Sequence, residues 1–230
     1  MSGEAQVHDD HARRCDPRDF WRQVRRTVNG EPVPQGQIDL IVSMVNRELD
    51  IQPSDYLLDL CCGNGALTTS FFERCRGGHG VDYSSTLIDV AKKNFVTGTE
   101  TTFERSDVVE YLDRESNPGR FNKVLCYGSF NYLSRESVAD LLRLLRQRFS
   151  HVERFVIGNI ADRDRMSHFF RDGAYVEGVE DRADSPIGIW WSRQQLADLC
   201  TASGWSARIH VMPSSYYAAH YRFDAVLTPA

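Results

Sequence analysis

The chain has 230 residues, 41% of them apolar and 26% charged, a balance that excludes both wholesale disorder and a membrane-spanning bundle. Lysine and arginine number 27 against 32 aspartates and glutamates, a formal net charge of −5. Such a chain lacks the global basic field of nucleic-acid binders, so nucleic acid is not expected as the main partner. The length admits one α/β domain with modest additions, or at most two small domains. No apolar run approaches the ~20 residues of a membrane span, and the charged N-terminus has no apolar signal core. A cytoplasmic protein without a membrane partner is expected. The six cysteines, Cys15, Cys61, Cys62, Cys75, Cys126 and Cys200, form no C-x-x-C pair. They read as reduced thiols packed like small apolar side chains, not as a metal or redox site.

In chain order, residues 1–16 are polar, with two histidines and several charges, and read as a mobile arm. Asp16 and Pro17 then suit the cap and first turn of a short helix whose apolar face is Phe20, Trp21 and Val24. After a break at Gly30–Gly36, a helix carries Ile38, Ile41, Val42, Val45 and Leu49 on one stripe. From there strands and helices alternate. Residues 56–62 read as a buried strand ending at Gly63 and Gly65, and residues 66–75 as a helix. A second strand is expected at 79–84 and a helix through Leu87, Ile88 and Ala91. A third strand at 101–107 leads into a short helix, and a fourth is expected at 121–129. The helix after it places Val138, Leu141, Leu142 and Leu145 on one face, and a fifth strand follows at 153–160. This alternation predicts a doubly wound, mostly parallel Rossmann-like α/β sheet.

Residues 161–190 break the pattern, being polar and irregular. Ser192 and Gln195 then have capping-box spacing before a last helix. Two closing strands, 206–212 and 221–227, have no helix between them and must be antiparallel. The expected organisation is an N-terminal arm and lid helix over 1–36 and a ligand-binding domain over 37–230. A substrate-covering insertion is expected at about 161–191.

The most informative stretch is LLDLCCGNGALT. Gly63 and Gly65 allow a tight turn and a close backbone approach by a ligand, and the helix expected near Ala66 would aim its positive end there. Asp82 ends the second strand 19 residues after Gly63, where an acid accepts both ribose hydroxyls of an adenosine. Asp107 ends the third strand, where an acid accepts from the adenine amino group. Each feature alone is weak; together they predict an adenosine site.

These segments resemble the class I S-adenosylmethionine-dependent methyltransferases, the resemblance covering roughly residues 38–227. LLDLCCGNGALT is similar to the first motif of that family, with Asp59 as strand acid and Gly63 and Gly65 in its loop. GVDYS resembles the second motif, which implies Asp82, with Tyr83 beside it, on the ribose. RSDVVEYL resembles the adenine segment, which implies Asp107 and the Val108 amide at the purine. KVLCYGSFNYLS resembles the fourth-strand motif, which implies Cys126 and Tyr127 at the methionine end. The implied cofactor is S-adenosyl-L-methionine, the implied fold a seven-stranded sheet ending in an antiparallel hairpin, and the implied reaction methyl transfer to oxygen or nitrogen of a small-molecule metabolite. The fourth-strand segment lacks the Asn/Asp-Pro-Pro-Tyr/Phe signature of amino-group methylation on bases or glutamine, so the acceptor is not identified. The oligomeric state is not legible.

An NAD(P)-dependent oxidoreductase shares the glycine turn and the acid, but Thr68 fills its third glycine position and no Tyr-x-x-x-Lys pair is present. A cofactor-binding scaffold would lack a covered acceptor pocket. An RNA methyltransferase has only the arginine-rich faces at Arg143, Arg146, Arg148, Arg163 and Arg165 in its favour, which read as solvated. For chemistry, His220 is the candidate general base. Tyr127, Asn131, Tyr132, His168, Tyr217 and His220 are expected at the substrate. Phe20 and Trp21 are expected to close over the cofactor.

Overall fold

A computed structural model describes residues 3–170 and 174–230, and the side chains from Asp9 onward. Residues 1–2 of the arm and 171–173 of the insertion lie outside the described residues. The elements are α1 (Gly3–Arg14), α2 (Phe20–Gln23), β1 (Thr27–Val28), β2 (Glu31–Pro32), α3 (Gln35–Leu49), β3 (Tyr56–Leu60), α4 (Thr69–Phe72) and β4 (Gly77–Asp82). They continue with α5 (Ser85–Asn94), β5 (Thr101–Arg105), α6 (Val108–Arg114), β6 (Lys123–Tyr127), α7 (Arg135–Arg148), β7 (Arg154–Ala161), α8 (Met166–Phe169), α9 (Arg193–Ala202), β8 (Trp205–Val211) and β9 (Arg222–Pro229).

Seven strands form one sheet in the order β5-β4-β3-β6-β7-β9-β8. All neighbours are parallel except the pairs made by β9, which runs antiparallel to both β7 and β8. The expected doubly wound sheet with an antiparallel finish is therefore the observed one. Alternation along each central strand feeds two cores. Leu58 on β3 and Val124 on β6 face α6, α7 and α9, while Leu57 and Leu125 face α3, α4 and α5. Both layers are closed by fully buried leucines, isoleucines and aromatics, so the strand tips are left as the place for a ligand.

Three local expectations are corrected. The arm is helical over Gly3–Arg14. It is held by tertiary contacts that no periodicity reveals: the Asp9 carboxylate accepts from the Ser84 hydroxyl, from the Ser85 hydroxyl at 3.0 Å and from the Thr86 amide at 3.3 Å, all at the start of α5. The helix expected over 66–75 is a single turn beginning at Thr69, because residues 61–68 are spent on the loop that leaves β3. The second strand starts at Gly77, two residues early, although glycine disfavours strands. A Cβ at Gly78 would lie 2.1 Å from the Phe72 ring. The missing side chain is what lets α4 pack on the sheet.

Helix starts follow ordinary capping chemistry. Ser84, Ser134 and Ser192 cap α5, α7 and α9 through their hydroxyls, and Ser192 with Gln195 completes the expected capping box.

Candidate functional site

Sheet order reverses between β3 and β6, and the carboxyl ends of the neighbouring strands open there on a cavity of about 1150 Å³. Cys61 and Gly63 follow β3, Asp82 and Tyr83 end β4, Ser106 and Asp107 follow β5, and Gly128 and Ser129 follow β6; all line it. A smaller annex of about 60 Å³ continues beneath the glycine loop, between Asp59, Leu67, Thr68, Trp21 and Tyr127.

The loop after β3 is built by two buried acids. Asp82 is 5% exposed, and its two oxygens accept from the Gly63 amide and the Ser84 amide, each at 2.9 Å. Burial pushes its carboxyl up to about 6. Asp59 accepts from the Thr68 hydroxyl at 2.5 Å, and burial pushes it up to about 7. The residue at the third glycine position of a dinucleotide fingerprint is thus a hydroxyl donor that holds the strand acid. Gly63 has φ of +60°, and a Cβ there would meet Val24 Cγ1 at 3.0 Å. Asn64 donates to the Phe20 carbonyl at 2.8 Å and to Gln23 Oε1 at 3.0 Å. The glycine loop and the N-terminal segment are therefore one packed unit.

The structure brings several of the sequence-predicted residues to one cavity: Gly63, Asp82, Tyr83, Asp107, Tyr132 and Tyr217 all line it. Asp107 also caps α6, accepting from the Val109 amide at 2.8 Å and the Glu110 amide at 3.2 Å. Asp59, Tyr127 and Trp21 lie on the annex. Gly65 takes φ of +79° behind the loop, against Phe103 and Ala91. Val108 and Cys126 are buried behind the wall.

Others are displaced from their expected places. Phe20 does not line the cavity; its ring packs edge-on against Phe95 at 5.0 Å, at the end of α5. Asn131 is 1% exposed, accepts from the Ala161 amide at 3.0 Å and donates to the Asn159 carbonyl at 3.2 Å, so it props β7 from behind. His168 and His220 are exposed and lie off the cavity wall, with His168 Nδ1 2.9 Å from the His220 carbonyl. The His220 ring packs against Tyr221 at 4.7 Å. The reason is a turn: Tyr221 faces inward, so its predecessor in the chain faces outward. Among the described residues, no histidine lines the cavity.

Sequence reasoning missed five arginines on the wall: Arg25, Arg26, Arg105, Arg114 and Arg222. Arg26 lies beneath Gly128, with its guanidinium 5.3 Å from the Tyr127 ring and 5.8 Å from Trp21. Its Nη1 is buried and has no hydrogen-bond partner among the described residues. The only signal for it was a charged pair, Arg25 and Arg26, shortly after α2, a pattern that normally marks a solvated face.

Comparison with known proteins follows this geometry. Residues 57–149 match the family model described as a methyltransferase domain. An uncharacterized methyltransferase of Schizosaccharomyces pombe is 32% identical over 77 residues, covering 34% of this chain and 28% of that protein. A probable cobalt-precorrin-6B C(15)-methyltransferase (decarboxylating) of Methanococcus vannielii is 34% identical over 67 residues, covering 29% and 36%. The chain thus spans about a third of the length of these curated relatives. Among solved structures, an S-adenosylmethionine-dependent methyltransferase from Clostridium acetobutylicum is similar with a TM-score of 0.64 and 14% identity, over 90% of this chain and 94% of that one. Magnesium protoporphyrin IX methyltransferase from Synechocystis, with S-adenosylhomocysteine bound, is similar with a TM-score of 0.58 and 13% identity, over 98% and 94%. At these identities the structural likeness is one of fold.

Proposed function

We propose that this chain, which carries a methyltransferase domain over residues 57–149, transfers a methyl group from S-adenosylmethionine to a small-molecule acceptor. The observation that carries this reading is the single cavity in which Asp82, Asp107 and the Gly63 loop stand at one end and a tyrosine- and arginine-lined space continues past Gly128. In this reading Asp82 accepts the ribose hydroxyls, Asp107 and its neighbours meet the adenine, and Arg26 takes the methionine carboxylate. Gly128 and Ser129 would then border the methyl-bearing end of the donor, on the side where the cavity continues. Transfer is an in-line displacement, so holding both partners in register supplies much of the acceleration.

The engagement of the arginines supports a small acceptor over RNA. Arg143 pairs with Asp140, Arg146 donates to the Gly204 carbonyl, Arg163 pairs with Asp181 and Arg165 with Asp162. Arg146, Arg163 and Arg165 thus tie separate segments together, whereas Arg143 pairs on the exposed face of α7 itself. No described helix is long and apolar enough to cross a membrane.

Calorimetry decides between this and the dinucleotide reading. S-adenosylhomocysteine is expected to bind and NAD is not; the reverse would overturn the proposal. Proton linkage gives a second expectation. Burial pushes the Asp82 carboxyl up to about 6, and ribose hydroxyls donate most strongly to its ionised form, in which both oxygens accept. Affinity for S-adenosylhomocysteine should therefore be full above about pH 7 and fall by up to about tenfold per unit below about pH 6. A dissociation constant that is flat from pH 5 to pH 8 would remove Asp82 from the ribose. His220→Ala, off the cavity wall, should leave turnover within about threefold of the parent, whereas loss of a general base costs roughly 10²–10⁴.

A further inference from the structure

Past Gly128 the cavity changes sign. Its adenosine end carries Asp82, Asp107 and Glu110 beside Arg105 and Arg114, while its far end carries Arg25 and Arg222 among Tyr132, Tyr217 and Tyr221. Arg222 begins β9 and is 6% exposed. Its Nη1 donates to the Asn159 carbonyl at 2.9 Å, and its guanidinium lies 4.8 Å from the Tyr221 ring. Among the described residues its Nε has no hydrogen-bond partner, and no carboxylate forms an ion pair with either Arg222 or Arg25. The one acid at that end of the wall, Asp184, is taken by Arg182 at 2.9 Å.

This cation is held deliberately. Asn159 sits at the bulge where β7 slips register between Ile157 and Ile160, in the left-handed region at φ of +62°. Tyr216 donates to its side-chain oxygen at 2.9 Å, and its amide donates to Asp224 at 2.7 Å. The bulge turns the Asn159 carbonyl onto Arg222 and so fixes a guanidinium at the strand tips without a protein counter-charge. A buried charge is retained only where something pairs it. Arg25, itself at φ of +51°, faces the same space from the N-terminal segment.

Resting on the methyl-transfer reading, we propose that the acceptor is a carboxylic acid with an apolar or aromatic body, bound through its carboxylate to Arg222 and Arg25 and methylated on that carboxylate. A lone pair of one carboxylate oxygen attacks the methyl carbon, the carbon–sulfur bond breaks, and its electron pair returns to sulfur. The sulfonium charge and the carboxylate charge cancel, leaving a methyl ester and S-adenosylhomocysteine. No proton moves. A carboxylate is ionised at neutral pH without help, which accounts for a wall with no histidine. The tyrosines and Leu133 and Ile187 receive the rest of the acid.

The test uses the full chain loaded with S-adenosylhomocysteine, with benzoate and benzamide as probes. Benzoate is expected to bind at least about tenfold more tightly than the neutral isostere. Arg25→Ala and Arg222→Lys should each erase most of that preference while S-adenosylhomocysteine affinity stays at the parent value, which also reports that the variants fold. Equal binding of the two probes, or a preference unchanged in both variants, would overturn the proposal. Failure of S-adenosylhomocysteine to bind at all would instead overturn the methyltransferase reading beneath it. With tritiated methyl donor and a metabolite extract, the transferred label should leave as volatile methanol on mild alkali, as an ester requires. Alkali-stable label would place the methyl on nitrogen or an ether oxygen and refute the carboxylate.

Discussion

Asp82→Ala is expected to weaken S-adenosylhomocysteine binding by about a hundredfold or more, measured by calorimetry on a variant with a native circular dichroism spectrum. Two effects combine at this residue. The ribose loses an ionised acceptor, and hydrogen bonds to a charged group are each worth about 1.5–3 kcal/mol. The loop also loses the carboxylate that holds the Gly63 and Ser84 amides at 2.9 Å, so the backbone facing the cofactor is no longer fixed. Asp82→Asn preserves the shape and one acceptor, and should fall between the two. Near-parent affinity in the alanine variant would show that the β4 acid serves the loop alone.

The second large effect separates the two halves of the cofactor. Arg26→Ala should weaken S-adenosylhomocysteine by roughly 30- to 100-fold, about 2–3 kcal/mol, while leaving 5′-methylthioadenosine within about twofold. That compound keeps the adenosine and sulfur and lacks the amino-acid carboxylate. The expectation stands on the buried Nη1 that no described residue pairs and on the position of the guanidinium between Trp21, Tyr127 and Gly128. Equal losses for both compounds would mean that Arg26 only props the glycine loop.

The two residues differ in how legible they were. Asp82 was readable because its place follows from a strand period, a glycine turn and a fixed interval between them. Such local signals survive without knowledge of the packing. Arg26 had no such signal, since its role depends on Asn64 reaching back to the Phe20 carbonyl and Gln23, which pulls the N-terminal segment over the loop. The histidines were misplaced for the opposite reason. His220 was assigned by nearness in sequence to the strand tips, yet one residue's shift in a turn exchanges inside for outside, and Tyr221 took the inward place. Asn131 was placed at the reaction centre by its distance from β6, and instead its amide satisfies the backbone of β7.

By itself the sequence determined the sheet, its closing antiparallel strands and the strand tips where Gly63, Asp82 and Asp107 line the cavity, because apolar periodicity, glycine turns and caps are read within one element or between adjacent ones. Only the tertiary structure decided the helical arm, the arginines of the far wall and the bulge at Asn159 that aims Arg222. Each of these depends on groups distant in sequence satisfying a buried charge or backbone bond, and that pairing leaves no periodic trace in the chain. The net charge of −5 is a case in point: a sum over the chain carries no information about the arginines that line the cavity.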